Sequence, residues 1–289
     1  MDNENNKKKI ITRFAPTPSG FLHIGNIVAA MISYLYIKKN NGKWLLRIDD
    51  LDYHRCRQNY LEFTLKSLEK LGFEHNSKIY YQSHYNEDYK FYLNLLKQKN
   101  MLYGCDCTRP LIKQHSAQGE HGYVYSGFCK DKNITEKNSA LRIKSPDKMW
   151  QFNDLILGTQ QQNIKQDLGD FVIKRKDGIM AYLFTNVIDD YNMKITHSIK
   201  GADLLFSVAT QQFLKQIFNF SSIKFAHFDL IKNNNNIKLS KSTSATGIDI
   251  KNPIKTLIQA YNLINNSNKI LSADFDSVDD FWQYAILNY

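Results

Sequence analysis

One segment constrains this chain more than any other: Ala15-Pro16-Thr17-Pro18-Ser19-Gly20-Phe21-Leu22-His23-Ile24-Gly25-Asn26, a proline- and glycine-punctuated loop that runs straight into an apolar helix predicted over Ile27 to Ile37. Such a junction presents the N-terminus of a helix to an anion. Gly20 and Gly25 let the backbone come close to a phosphate, and His23 supplies an imidazole that can donate to its oxygens as charge builds. Far along the chain, Lys238-Leu239-Ser240-Lys241-Ser242 offers ammonium groups able to close on the same charge from the opposite side. Alone, the first segment reads as a loop before a core helix and the second as a solvated basic loop. Both together, in this order, look like an adenylation machine.

The flanking pattern gives the architecture. Ile10 to Arg13 reads as a short buried strand and Lys43 to Ile48 as a second, so the loop and helix sit inside a β-α-β unit. Helices are predicted over Arg57 to Leu71, with Leu61, Leu65, Leu68 and Leu71 on one face, and over Glu87 to Asn100. Ala140 to Ile143 and Asp170 to Lys174 read as strands, Ala181 to Asp189 as an apolar element and Ala202 to Phe218 as a helix. This alternation predicts an α/β fold with a doubly wound parallel sheet. Two short helices, Pro253 to Leu263 and Ser277 to Leu287, complete the chain.

Thirty-eight basic against 28 acidic residues leave a net charge of +10, which suits a polyanionic partner. Lys7-Lys8-Lys9 is not followed by a signal-peptide core, and no apolar run reaches membrane-spanning length, so a cytoplasmic protein with no membrane partner is expected. Three of the four cysteines, Cys105, Cys107 and Cys129, fall in one short region while Cys56 stands apart. A structural zinc site and reduced free thiols both fit that grouping. Zinc needs a fourth ligand, and of His121, Tyr123 and Tyr125 the histidine is the conventional choice.

Taken together, Arg13 to Gly20 with His23-Ile24-Gly25-Asn26, Arg47-Ile48-Asp49-Asp50-Leu51-Asp52, Cys105-Asp106-Cys107-Thr108-Arg109, Tyr125 to Cys129, Gly201-Ala202-Asp203-Leu204 and Lys238 to Ser242 resemble the class I aminoacyl-tRNA synthetases. Within that class the chain is similar to the glutamyl-queuosine tRNA(Asp) synthetases, truncated paralogues of glutamyl-tRNA synthetase without its anticodon-binding domain. The resemblance implies a Rossmann-like catalytic domain in two halves, 1–100 and 136–250, a zinc-binding insertion at 101–135 and a short helical segment at 251–289. It implies Cys105, Cys107, Tyr125 and Cys129 as zinc ligands, so that Tyr125 displaces His121.

By the same resemblance, ATP with Mg2+ would meet His23, Gly25, Asn26, Lys238, Ser240 and Lys241, with His23 and Lys241 catalytic. L-glutamate would meet Arg13, Phe14, Ala15, Pro16, Thr17, Asp49, Tyr182 and Lys200. Arg13 would pair with a substrate carboxylate, Asp49 with the ammonium group, Tyr182 would donate a phenolic hydrogen bond and Lys200 a second positive charge. The glutamyl group would pass to queuosine in the anticodon loop of tRNA(Asp), the enzyme acting as a monomer. Two departures stand out: Asp49 and Lys200 occupy positions where the family has Glu and Arg, and a shorter carboxylate and a monodentate ammonium grip differently. Those changes keep two alternatives in view, a minimal synthetase charging a tRNA 3′ end and an adenylation-dead RNA-binding module.

Overall fold

A computed structural model describes residues 9–75, 78–229, 247–265, 269–271 and 274–289. In chain order its elements are β1 (Ile11–Phe14), α1 (Ile24–Lys39), β2 (Lys43–Ile48), α2 (Gln58–Lys70), β3 (Ile79–Tyr81), α3 (Asn86–Gln98), β4 (Leu102–Cys105), α4 (Arg109–His115), β5 (Ala117–Gly119), β6 (Gly122–Val124), β7 (Ala140–Ile143), β8 (Met149–Asp154) and β9 (Gly158–Asn163). There follow α5 (Ile164–Asp167), β10 (Val172–Lys174), α6 (Tyr182–Asn192), β11 (His197–Gly201), α7 (Val208–Phe218), β12 (Lys224–Phe228), α8 (Pro253–Ile264) and α9 (Val278–Leu287). The chain divides into two compact units, one of residues 1–81, 195–202 and 228–289, the other of 82–194 and 203–227. Among the described residues no helix is long and apolar enough to cross a membrane.

The first unit is built on the predicted β-α-β unit. β1 pairs in parallel with β2, Ile11 opposite Lys43 and Phe14 opposite Leu46, and β2 pairs in parallel with β3, Ile48 opposite Tyr81. β11 runs alongside β1: the Thr196 amide donates to the Ile11 carbonyl at 2.9 Å, and the Ile11 amide to the Thr196 hydroxyl at 2.8 Å. Side chains alternate across a strand, so Phe14, Trp44 and Leu46 face one side and Arg13, Leu45 and Arg47 the other. The first side is covered by α1. That helix is apolar nearly all round because α8 and α9 pack on it as well, which buries Ile27, Val28, Met31, Tyr34 and Leu35.

An aromatic cluster fills this core. Tyr34 sits edge-on to Trp44, Phe73 and Trp282, with ring centroids 5.4, 5.4 and 4.7 Å away. The indole nitrogens are satisfied, that of Trp44 by the Ser33 hydroxyl at 2.9 Å and that of Trp282 by the Leu71 carbonyl at 2.8 Å.

In the second unit β12 still pairs in parallel with β8, Phe225 opposite Asp154, but the expected parallel pairing does not extend to β4, β7, β9 and β10. Strands β10, β7 and β4 form an antiparallel sheet, with Leu141 opposite Gly104 and Lys174, and β8 and β9 form a hairpin from Met149 opposite Asn163 to Asp154 opposite Gly158. Between β4 and β7 the chain makes the short α4 and the β5–β6 hairpin, and the two strands it joins run antiparallel. The β8–β9 turn is tied by the Asp154 carboxylate, which accepts from the Ile156 and Leu157 amides at 3.0 Å each and from the His227 ring at 2.6 Å. Burial acts to raise the Asp154 carboxyl, but these hydrogen bonds outweigh it and hold the group below its ordinary value.

Several boundaries shift. The first strand ends at Phe14 rather than Arg13, α1 starts at Ile24, and the helix expected from Ala202 opens as a 3-10 turn, Ala202–Ser207, before α7. The apolar stretch at Ala181 to Asp189 is a helix, α6. On α2 the buried positions are Thr64, Ser67 and Leu68, with Leu71 just beyond it, while Leu61 and Leu65 are only partly covered. Trp282→Ala would empty the centre of the aromatic cluster and orphan the Leu71 carbonyl, at a cost of about 3–5 kcal/mol. Denaturant unfolding should show the midpoint drop and Trp282→Phe falling less; an unchanged midpoint would remove α9 from the core.

Candidate active site and cysteine centre

The loop between β1 and α1 is fastened to the segment after β2. The Pro16 carbonyl accepts the Asp49 amide at 3.0 Å, which extends the β1–β2 register, and the Pro18 carbonyl accepts the Arg57 amide at 3.0 Å. His23 is the N-cap of α1 with extended backbone and is 8 % exposed; Gly25 lies in the first turn. The Asn26 side chain accepts the His23 amide at 3.0 Å, so Asn26 sets the backbone that carries the imidazole. Lys238, Ser240 and Lys241 lie outside the described residues. Just after them in sequence, the Ile248 amide donates to the Leu22 carbonyl at 3.0 Å and Gly247 abuts Phe21, so the chain leaving the lysine segment is attached beside His23.

The strand register gathers the charged residues of the first unit. The Arg13 guanidinium on β1 lies 3.4 Å from the Ser198 hydroxyl on β11, and Lys200, two residues further along β11, shares the face of Ser198. The β1–β2 register, carried two residues on from Arg13, sets Arg47 beside Ala15, and two further sets Asp49 opposite Thr17. All four charged groups are buried on the sheet face opposite α1. Phe14 points the other way, stacked on Trp44 with centroids 5.9 Å apart, so its side chain belongs to the core and only its backbone faces the charged side. Pro16 likewise engages Asp49 through its carbonyl.

Asp49 already has a protein partner. Arg47 grips both its oxygens, Nε at 2.6 Å from Oδ1 and Nη2 at 3.2 Å from Oδ2, and the guanidinium is fully buried. The sequence carried a signal for this contact, since Arg47 and Asp49 stand two apart on an extended chain and share a face. Charge-assisted and bidentate, the pair fixes the carboxylate while its other lone pairs stay available to an ammonium group. Tyr182 opens α6 in the second unit and is 37 % exposed.

The three clustered cysteines meet in the second unit. β4 delivers Cys105 at its end, Cys107 follows, and Cys129 lies in the turn beyond the β5–β6 hairpin; their sulfurs are all within 4.8 Å of one another. The Tyr125 hydroxyl stands among them, 3.3 Å from Cys105 Sγ and 3.5 Å from Cys107 Sγ, and accepts the Cys129 amide at 3.1 Å. His121 falls in the tight turn of that hairpin, stacked on Phe206 and away from the sulfurs, and Tyr123 is exposed. Cys56 lies in the first unit.

Tyr125 is held from behind. Its amide donates to the Leu168 carbonyl at 3.1 Å and its carbonyl accepts the Asp170 amide at 3.4 Å; Gly169, at φ +70°, permits this approach because a Cβ there would collide with the Tyr125 carbonyl. Burial raises the Cys107 thiol to about 11, and burial followed by the neighbouring sulfurs pushes the Tyr125 hydroxyl up. Cys105 differs: burial opposes its ionisation, yet hydrogen bonds from Tyr125 and Arg142 prevail and its thiol is lowered. Tetrahedral zinc with sulfurs at about 2.3 Å separates them by roughly 3.8 Å; here Cys107 Sγ and Cys129 Sγ are 3.3 Å apart and all three sulfurs lie within 4.8 Å, a spread that brackets that value. The donor set suits a thiophilic divalent cation whose binding would displace protons from Cys107 and Tyr125.

Comparison with known proteins agrees with this architecture. Residues 9–256 match the family described as tRNA synthetases class I (E and Q), catalytic domain. Curated relatives include a Glutamyl-Q tRNA(Asp) synthetase of Acinetobacter baylyi, 33 % identical over 96 % of this chain and 92 % of that protein. Another, from Neisseria meningitidis serogroup C, is 37 % identical over 88 % of this chain and 87 % of its own length. Among solved structures, a glutamate tRNA ligase of Elizabethkingia meningosepticum in complex with its amino acid superposes with a TM-score of 0.69 at 30 % identity, covering 81 % of this chain. The chain spans about half of that ligase, 52 % of its length. With a loop and helix that seat His23, a buried charged face on β1, β2 and β11, and a family match over most of its length, the chain belongs to the class I tRNA synthetases for glutamate and glutamine.

Proposed function

We propose that this protein activates glutamate with ATP to an enzyme-bound adenylate and transfers the glutamyl group to queuosine in the anticodon loop of tRNA(Asp). The observation that carries the reading is the buried charged face formed by Arg13, Arg47, Asp49 and Lys200. Arg47 holds Asp49, Arg13 and Lys200 bring positive charge to the same face to meet the two carboxylates of glutamate, and Asp49 presents its outer lone pairs to the ammonium group. Tyr182 would add a phenolic donor. The acceptor is supported by the curated relatives, which carry the name Glutamyl-Q tRNA(Asp) synthetase over most of their length.

Activation forms a bond between a glutamate α-carboxylate oxygen and the α-phosphorus of ATP as the bond to the leaving pyrophosphate breaks. His23 donates to a phosphate oxygen from the N-terminus of α1, with Gly25 and Asn26 shaping that turn, and Lys238, Ser240 and Lys241 would meet the same phosphates. ATP enters as its Mg2+ complex. A hydroxyl of queuosine then attacks the acyl carbon of the adenylate, and AMP leaves with the bonding electrons. The family Glu and Arg are replaced by Asp49 and Lys200, and the Arg47 clamp explains how the shorter side chain is still held in place.

Residues 101–135 act in this reading as a metal-binding insertion between the two catalytic halves, 1–100 and 136–250, ahead of the helical segment at 251–289. Cys105, Cys107, Tyr125 and Cys129 hold one structural zinc ion, which fastens the insertion to the sheet. The enzyme is a cytoplasmic monomer.

Labelled glutamate should enter tRNA(Asp) bearing queuosine and not the same tRNA lacking it, and the label should survive removal of the 3′-terminal nucleotides. Label lost with those nucleotides would make the protein a 3′-end synthetase. Lys241→Ala should slow adenylate formation by roughly 100-fold or more at unchanged zinc content; normal activation in that variant would remove the lysine from the mechanism.

A further inference from the structure

We infer that Arg142 is a positioning residue for the cysteine and tyrosine metal centre, fixing the Tyr125 ring against the sulfurs and offsetting the negative charge that the loaded site carries. The inference rests on the metal reading of that centre. Arg142 stands on β7, the middle strand of its sheet, level with Tyr103 on β4 and Val172 on β10, and is buried. Its guanidinium carbon lies 3.6 Å from the centre of the Tyr125 ring, a stacked cation–π contact on the very side chain whose hydroxyl sits among the sulfurs.

What Arg142 lacks is as informative. Nη1 donates to the Asp170 backbone carbonyl at 2.7 Å, while Nε is buried with no hydrogen-bond partner among the described residues. The buried Asp170 carboxylate is committed elsewhere: it accepts the Tyr103 hydroxyl at 2.8 Å, the Ser145 amide at 2.9 Å and the Lys165 ammonium at 2.8 Å. Lys165 therefore balances Asp170, and the Arg142 charge is left facing the ligand set. A buried guanidinium is costly unless something anionic answers it. A divalent ion bound by three thiolates and a phenolate leaves the cluster with two negative charges in excess, and Arg142 is the cation placed to answer them. Groups behind the ligands commonly orient them in this way, and their loss typically weakens metal affinity by roughly 10–100-fold.

The test is zinc affinity by chelator competition on the full-length protein, with Arg142→Met, Arg142→Lys, Tyr125→Phe and the double variant Arg142→Met/Tyr125→Phe. Arg142→Met should bind zinc roughly 10–100-fold more weakly than the unaltered chain, and Arg142→Lys, which keeps the charge without the plane, should recover part of that loss. In the Tyr125→Phe background the same methionine substitution should cost much less, because the hydroxyl that Arg142 positions through the ring has gone. The cobalt-substituted Arg142→Met protein should keep its sulfur-to-metal bands and change in the part of the spectrum that Tyr125→Phe also changes. Equal zinc affinity in Arg142→Met and the unaltered chain would overturn the inference, as would an equal loss in both backgrounds, which marks a purely structural arginine. Failure of the unaltered protein to bind one zinc ion per chain would instead overturn the metal reading and this inference with it.

Discussion

The parallel register of β1 against β2, with β11 alongside β1, decides where Arg13, Arg47 and Asp49 go. With Ile11 opposite Lys43, the aromatic residues Phe14 and Trp44 turn toward α1, and Arg13, Arg47, Asp49 and Lys200 turn away from it. A slip of one residue would carry arginines into the aromatic core and aromatic rings onto the polar face, so the core polices the register of the site. Tyr34 on α1, with Phe73 and Trp282, completes that core, and His23 caps the start of the same helix. Packing on one face and chemistry on the other are thus two consequences of one alignment.

The second unit solves a different problem, holding four soft or acidic donors close together. Gly169 lets Leu168 to Asp170 press against the Tyr125 backbone, Arg142 covers its ring, and β4 brings Cys105 to the same place. In both units a guanidinium stands behind the group that would face the ligand, Arg47 behind Asp49 and Arg142 behind Tyr125. The two differ in kind, since Arg47 forms a bidentate ion pair and Arg142 lies flat on a ring.

Much of the first unit is legible in the sequence because its signals are local. The strand from Lys43 to Ile48, the apolar helix and the two C-terminal helices follow from periodicity and cap residues. The second unit is harder to read. The strand Gly158 to Asn163 carries three consecutive glutamines and no apolar alternation; it exists because β8 pairs with it. The direction of β7 and β10 depends on the connection between them, which no residue pattern within the strands reveals. Ligand softness pointed to His121 as the companion of the cysteines, whereas the β5–β6 turn carries His121 away and leaves Tyr125 among them. The Arg47 clamp is hidden in the sequence although both residues stand in Arg47-Ile48-Asp49, because a pair two apart looks like ordinary strand polarity until burial is known.

The central claim is that this buried charged face selects glutamate and activates it without help from RNA. Amino-acid-dependent exchange of pyrophosphate into ATP, run across the twenty amino acids in the absence of tRNA, tests it directly. The account predicts exchange with glutamate alone; exchange with another amino acid, or none with any, would contradict it.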